Sequence, residues 1–479
     1  MMRSLLLAPF VGVTLTTAVA AQVPPIVPYP RTLDMLVVDS TYDGVWRLSD
    51  QNQDGDYNDA LEVVSFYSDV TGSVVLTNPT CVAWAPNGTT YLGDSTIDIV
   101  MALRDQNGDG DAVDAGEHGV FFHSATNANA IVMASIQGIT VDALGRLFCA
   151  VSNAGTSGQD MILRLEDQNG DGDADDANES LVYCLIPNGA GAVGNSIPTK
   201  VVIGPDANLY YSEVGTTLLV TKGVWKLTDG NLDGDCNDAG EVTLFWAPPF
   251  GVSPFYWSLA VDWAGNFYVT DHSTNEQVWR ARDADNSGTI DVSEQQLYYQ
   301  TLASTWWDVV LRDDGTVLLG EAQSPDRWTA CKDLNADGDA LDLNEASQAY
   351  DSTAASLAIS VRGGSMMRAP QLSLQPPIVP IGQTSNLTTW ASKPGDLTVV
   401  VLSVGLGPNF PLAPWGTVEI DVSAFTSIGL GFADAAGFFT LPLALPNSPS
   451  AIGTWGVQSL SGDSFRLFLS NASLLTVTP

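Results

Sequence analysis

Short apolar runs of five or six residues, rich in Val, Leu, Phe, Tyr and Trp, recur along most of the chain between Gly- and Asp-rich stretches. Runs of that length and composition predict strands. One recurring pair is a hairpin signature around a tight polar turn: VAWAPNGTTYLGD (82–94), ITVDALGRLFCAV (139–151), VVIGPDANLYYSE (201–213), LAVDWAGNFYVTD (259–271) and VVLRDDGTVLLGE (309–321). A second pair brackets each acidic stretch, with GVWRLSD, MILRLED, GVWKLTD or QVWRARD before it and EVVSFY, SLVYCL, EVTLFW or QQLYYQ after. Each repeat therefore reads as four strands, A to D, with the acidic stretch joining C to D.

The acidic stretch itself repeats six times at intervals of 50 to 62 residues. Five copies share the form D-x-N-x-D-G-D-x-x-D-x-x-E: residues 50–62, 105–117, 167–179, 229–241 and 333–345. The remaining copy, DADNSGTIDVSE (283–294), is one residue shorter and fits the EF-hand calcium loop at every ligand position. Calcium is a hard ion that takes six to eight oxygens, so side chains at alternate positions must converge on one point. Gly at the sixth position permits the sharp turn, and the closing Glu can give two oxygens. Aligned on the closing D-x-x-E, the longer loops become EF-hand loops with one residue inserted just after the Gly. The expected calcium ligands are Asp50, Asn52, Asp54, Asp56, Asp59 and Glu62 in the first loop; Asp105, Asn107, Asp109, Asp111, Asp114 and Glu117 in the second; and Asp167, Asn169, Asp171, Asp173, Asp176 and Glu179 in the third. The fourth offers Asp229, Asn231, Asp233, Asp235, Asp238 and Glu241, the fifth Asp283, Asp285, Ser287, Thr289, Asp291 and Glu294, and the sixth Asp333, Asn335, Asp337, Asp339, Asp342 and Glu345. About six calcium ions follow.

Four-stranded units in series predict the blades of a β-propeller. The first unit lacks strand A, holding only MLVVD (35–39) and GVWRL (44–48) before its loop. After the last unit, SLAISVRGG (356–364) matches SLAVDWAG (258–265), so the C-terminal end of the ring is expected to supply the missing innermost strand. Six blades then close with no exposed edge left over. The A–B hairpin resembles the NHL-repeat propellers, whose motif reads like avD..Gn.yvtD, over roughly residues 33–364. Integrin-like FG-GAP propellers also carry acidic calcium loops, but between their first two strands, so that match is poorer.

Composition changes near Pro370. QPPIVPIG (375–382) reads as part of an extended linker, 367–382, and the hundred or so residues beyond it hold short apolar runs predicting an antiparallel β-sandwich, 383–479. This segment resembles the C-terminal modules of exported bacterial repeat proteins in DAAGFFTLPLALPN and LSNASLLTV. The overall expectation is an all-β chain: a six-bladed propeller, 33–366, followed by a small Ig-like sandwich.

Charge narrows the partners. Fifty-five acids against 18 Lys and Arg give a net −37, which repels nucleic acid and anionic membrane and suits divalent cations. Arg3, the apolar run 5–20 and the small residues at 18–21 read as a signal peptide, 1–21, followed by a Pro-rich leader, 22–32. A secreted or cell-surface location follows, and no other run is apolar enough for a membrane span. Cys81, Cys149, Cys184, Cys236 and Cys331 are odd in number with no zinc spacing, and read as buried small hydrophobes.

Three histidines, His118, His123 and His272, make a Ser or Cys triad improbable, and no P-loop, HExxH or dinucleotide fingerprint occurs. Strand direction puts the calcium loops and A–B turns on one face. The other face collects the B-strand ends, Asp39, Asp94, Glu213, Asp271 and Glu321, with Cys81, Lys200, Trp257, Trp307 and Asp308 nearer the axis. The strand-end acids are expected to cap backbone donors; the competing reading is an acid- and Trp-lined mouth. The favoured function is a non-catalytic, calcium-stabilised binding or surface protein with an extracellular glycan or protein ligand. The alternative is an extracellular calcium-dependent hydrolase or lactonase resembling the gluconolactonase-type propellers, which place acids and Asn around a central channel. Quinone-dependent sugar dehydrogenases share the fold, but their basic pocket and His base fit poorly.

Overall fold

In blades 2 to 6 five residues join strand A to strand B, and each C–D pair is held apart by its acidic loop, so successive strands are forced antiparallel. The computed structural model describes residues 34–479 apart from 51, 53, 86–88, 106–109, 143–144, 153–159, 187–195, 205, 207, 216–221, 250–255, 263–264, 273–275, 302–304, 313–314, 322–324, 356, 368–370, 376–377, 391–396, 405, 413–415, 421–422, 424, 434–437 and 463–466. The expected signal peptide and leader lie outside the described residues.

Six four-stranded antiparallel sheets form. In A-to-D order, blade 2 is Pro79–Trp84, Thr90–Asp94, Ile99–Leu103 and His118–His123; blade 3 is Ile136–Val141, Leu147–Val151, Met161–Leu165 and Ser180–Leu185. Blade 4 is Pro198–Ile203, Leu209–Glu213, Gly223–Leu227 and Val242–Trp246, and blade 5 is Tyr256–Val261, Phe267–Asp271, Gln277–Ala281 and Gln295–Gln300. Blade 6 is Trp306–Leu311, Val317–Glu321, Arg327–Cys331 and Ala346–Asp351. Blade 1 joins the two ends of the ring: Met35–Asp39, Gly44–Leu48 and Val63–Ser68 take Gly363–Met366 as their innermost strand. The six A strands pack each on the next in a closed cycle, from blade 1 through blade 6 and back. The fold is a six-bladed propeller, and B strands such as Met35–Asp39, Thr90–Asp94 and Leu147–Val151 are buried along their whole length.

The closing strand differs from expectation. Pairing begins at Gly363 and runs Val38↔Gly363 to Met35↔Met366, beyond most of the segment 356–364 that resembles other A strands. The backbone donors before it are already engaged: Ile359 N–H donates to Tyr350 Oη at 2.7 Å, and Ser360 N–H to Asp39 Oδ2 at 3.1 Å. Glycine is needed in the shifted strand, because a Cβ on Gly364 would lie 2.8 Å from the Trp328 ring.

The C-terminal part is a β-sandwich. One sheet joins Gln371–Gln375, Thr384–Trp390 and Phe438–Ala444; the other joins Ile378–Pro380, Leu467–Thr478, Gly453–Gly462, Leu397–Ser403 and Phe425–Phe432. Leu372 and Leu387 from the first meet Val400, Val457 and Leu475 from the second in a common core. Residues 371–375 and 378–380, expected to be linker, are strands of these sheets. Their alternating Leu372, Leu374 and Val379 are buried, and Ile378–Pro380 sits at a sheet edge, where proline costs no ladder bond. All five cysteines are buried and free; burial pushes the Cys81 thiol up to about 12.

A chain ending at Arg362 lacks the blade 1 inner strand, whereas one ending at Met367 keeps it. Thermal unfolding is expected to be cooperative for the second and broad or aggregating for the first; equal melting curves would contradict the closure.

Candidate functional site

The six acidic loops fold alike. In each, the Gly at position six donates its N–H to Oδ2 of the first Asp at 2.8 to 3.0 Å. Those glycines have φ between 87° and 105°, which other residues rarely adopt. The closing Glu folds back over the loop. Glu294, for example, accepts from Ala284 and Asp285 with one oxygen and from Asp291 with the other, and the backbone N–H bonds from Asp291 and Ala284 hold its carboxyl below the usual range. In the first, third, fourth and sixth loops the Asn Nδ2 bridges the two acids at positions five and ten, as Asn52 does between Asp54 and Asp59. Carboxylate oxygens of Asp167, Asp171 and Glu179 lie within 4.8 Å of one another, as do those of Asp283, Asp285 and Glu294. Asn107 and Asp109 lie outside the described residues.

The longer loops gain their extra residue after position eight, not directly after the Gly. Position eight is fixed by one bond made in all six loops, the short one included. Every D strand carries a bulge that leaves one residue unpaired: Phe66, Phe121, Tyr183, Phe245, Tyr298 and Ala349. A bulge frees the carbonyl from its ladder. That carbonyl accepts the position-eight N–H of the next blade's loop, from Ala112, Ala174, Cys236, Ile290, Ala340 and Tyr57 respectively, at 2.6 to 2.8 Å. The Tyr57 bond to Ala349 ties blade 1 to blade 6. The inserted ninth residue turns on the Asp at position seven; Asn58 N–H donates to Asp56 Oδ1 at 2.8 Å, and Asp175 to Asp173 at 3.0 Å. It then reaches the preceding blade: Asn58, Asp175 and Asn237 accept N–H from Asp351, His123 and Leu185.

Every junction sets at least one aromatic side chain against the neighbouring position. Five pair an aromatic bulge residue with Ala, Cys or Ile at position eight. The ring-closing junction reverses the sizes, with Ala349 facing Tyr57, both fully buried in one cluster.

The opposite face holds a polar cavity of ≈ 320 Å³ at the axis. A second set of bulges builds it. The innermost strands of blades 2, 3, 4 and 6 shift register at their first turn, leaving Thr80, Gln137, Thr199 and Trp307 unpaired, and Ser258 lies within the same shift in blade 5. All five side chains line the cavity with Lys200, Asp308 and Arg362. Asp308 is 2% exposed and fully engaged: Lys200 Nζ lies 2.9 Å away, Ser258 Oγ donates to it, and Gly364 N–H donates at 2.6 Å. It ties blades 4, 5, 6 and 1 together. Arg362 lies over the Trp307 ring at 4.6 Å, and His272 meets the same ring edge-on. Burial lowers the His272 imidazole below its usual value.

Of the residues expected near the axis, Cys81, Lys200, Trp307 and Asp308 line the cavity; the Trp257 side chain lies outside the description. Three of the strand-end acids cap backbone. Asp94 accepts four N–H groups, Asp39 holds Thr41 and Ser360, and Glu213 holds Ile197 and Gly215. The sequence reading missed Arg362 and the bulged polar residues. The bulged residues shared a signal, a polar or aromatic residue standing one to three places before the A-strand apolar run; Arg362 had none.

No family model and no curated protein matches the chain. Among solved structures, a putative 6-phosphogluconolactonase from Bacteroides fragilis is similar at 12% identity, with 85% of this chain and 97% of that one covered and a TM-score of 0.43. A protein of unknown function from Bacteroides caccae matches at 12% identity over 71% of this chain and 99% of its own, with a TM-score of 0.42. A putative gluconolactonase matches at 16% identity over 64% and 84%, with a TM-score of 0.38. Likeness at these levels carries neither activity nor partner.

Tyr57→Ala is expected to cost about 3 kcal/mol or more, and Ala349→Phe about 1–3 kcal/mol by overpacking. Together they restore the size order of the other five junctions, so denaturant unfolding of the double variant should recover about 1–3 kcal/mol of the summed loss. Strict additivity would contradict the junction.

Proposed function

We propose that the chain is an exported, calcium-stabilised propeller that binds an extracellular ligand and does not catalyse. The supporting observation is Glu179. It is 3% exposed, its Oε2 has no hydrogen-bond partner, and it stands beside Asp167 and Asp171. An unpaired buried carboxylate oxygen is costly, and a hard cation is what relieves it. The loop residues fit such an ion, since they offer oxygens alone from Asp, Asn, Glu and, in the fifth loop, Ser and Thr. When bound, calcium would supply positive charge that cancels the mutual repulsion of the rim carboxylates. The placement of the loops outside the cell rests on the leader-like residues 1–21.

Support for binding over catalysis lies at the other face. Among the described residues lining the mouth, Asp308 is the one carboxylate, and Lys200, Ser258 and Gly364 already use its oxygens. The gluconolactonase-like alternative needs several free acids and Asn there to hold a second kind of calcium site.

Metal analysis at millimolar calcium should find about six ions per chain, and Glu179→Gln about one fewer. At calcium ten times above its dissociation constant each site adds about 1.4 kcal/mol, or roughly 8 kcal/mol for six, so chelation should lower the melting temperature sharply. Two or fewer bound ions would overturn the reading.

A further inference from the structure

The axial mouth is built, and its chemistry differs from the rest of the molecule. Successive blades spend a backbone bulge to aim a side chain into one cavity, the device that re-aims residues beside binding and active sites. Of these, Thr80 and Gln137 are part-exposed neutral hydrogen-bonding groups beside Ser135, while the buried Thr199 and Ser258 are already bonded to Ser212 and Asp308. The charge balance is inverted too. In a chain of net −37, the mouth presents Lys200 and Arg362 against Asp308 alone.

Lys200 is committed to Asp308, which leaves Arg362 as the charged group to account for. Its Nε donates to Ser40 Oγ at 2.9 Å, and Trp307 supports its guanidinium plane. No described carboxylate forms an ion pair with it. Asp326 acts on it through space without pairing, so the guanidinium, held in orientation, keeps N–H donors suited to a carboxylate. The cavity, ≈ 320 Å³, sits near the lower end of the range for small-molecule sites and takes a single sugar-sized ring. Neutral donors and acceptors around its wall match hydroxyl groups.

We propose that the mouth binds a carboxylated sugar, a hexuronate, with its carboxylate on Arg362 and its hydroxyls on the part-exposed Thr80, Ser135 and Gln137 side chains. This rests on the reading of the chain as a binding protein, and it names the ligand class of the face opposite the calcium loops. Free uronate and the terminal uronate of a glycan share this chemistry; comparing glucuronate with a short uronate-ended oligosaccharide distinguishes them.

The test is calorimetric titration of the full chain at fixed free calcium with glucuronate, the uronate-ended oligosaccharide, and glucose as the neutral control. Glucuronate or the oligosaccharide should bind at least about tenfold tighter than glucose. Arg362→Gln should remove that preference, bringing glucuronate to the level of glucose, while Arg362→Lys, which keeps charge without the planar fork, should fall between. Melting temperature and calcium stoichiometry are measured on each variant to establish folding. Equal affinity for glucose and both uronates, no saturable uronate binding, or full retention in a folded Arg362→Gln variant overturns the proposal. Those outcomes with about six calcium ions still bound leave the calcium reading standing, and a loss of calcium binding in wild type would strike that reading instead.

Discussion

A propeller must hold blades together that share no sheet. Here one backbone hydrogen bond recurs at every junction, from the position-eight N–H of each acidic loop to the bulged carbonyl of the preceding blade, beside apolar clusters that span neighbouring blades. Both partners are backbone, so side-chain identity short of proline does not remove the bond; it decides whether each group is presented. The D-strand bulge presents the carbonyl, and the Asp–Gly turn presents the N–H. Side chains then fill the junction, with one aromatic residue each time set against Ala or Cys, or in blade 5 against Ile290. Tyr57 opposite Ala349 keeps that arrangement with the sides exchanged where the ring closes.

The same loops carry over half of the chain's acids. Their like charges oppose the turn that aims position eight at its neighbour, so any cation held there acts on the junction as well as on the loop. In the proposed reading the metal is a ring-closing device. The mouth stands apart from this. Its bulges lie at the other end of the blades, and its carboxylates are consumed by Lys200 or by backbone caps.

Much of this was legible in the chain. Strand length, hairpin turns and six acidic loops lead directly to an all-β propeller, because each signal is local and repeats. The strand-end acids were legible as caps for the same reason. Features that depend on which backbone groups are already occupied were not. SLAISVRGG looks like an A strand, yet Tyr350 and Asp39 take its donors, and pairing slides to Gly363. The loop insertion was placed after the Gly by aligning the closing D-x-x-E; only the bond made by Ile290 in the short loop shows that position eight is the shared point. Residues 371–380 looked like linker because prolines interrupt them, and an edge strand tolerates those. Arg362 falls between two repeats, where no periodic signal marks it.

The account depends most on the coupling of loop geometry to ring closure. Amide hydrogen exchange at Tyr57, Ala112, Ala174, Cys236, Ile290 and Ala340, with calcium and after chelation, tests it directly. The account predicts that all six amides are strongly protected in calcium and lose protection together when it is removed. Fast exchange at these amides in calcium, or protection unchanged by chelation, would contradict it.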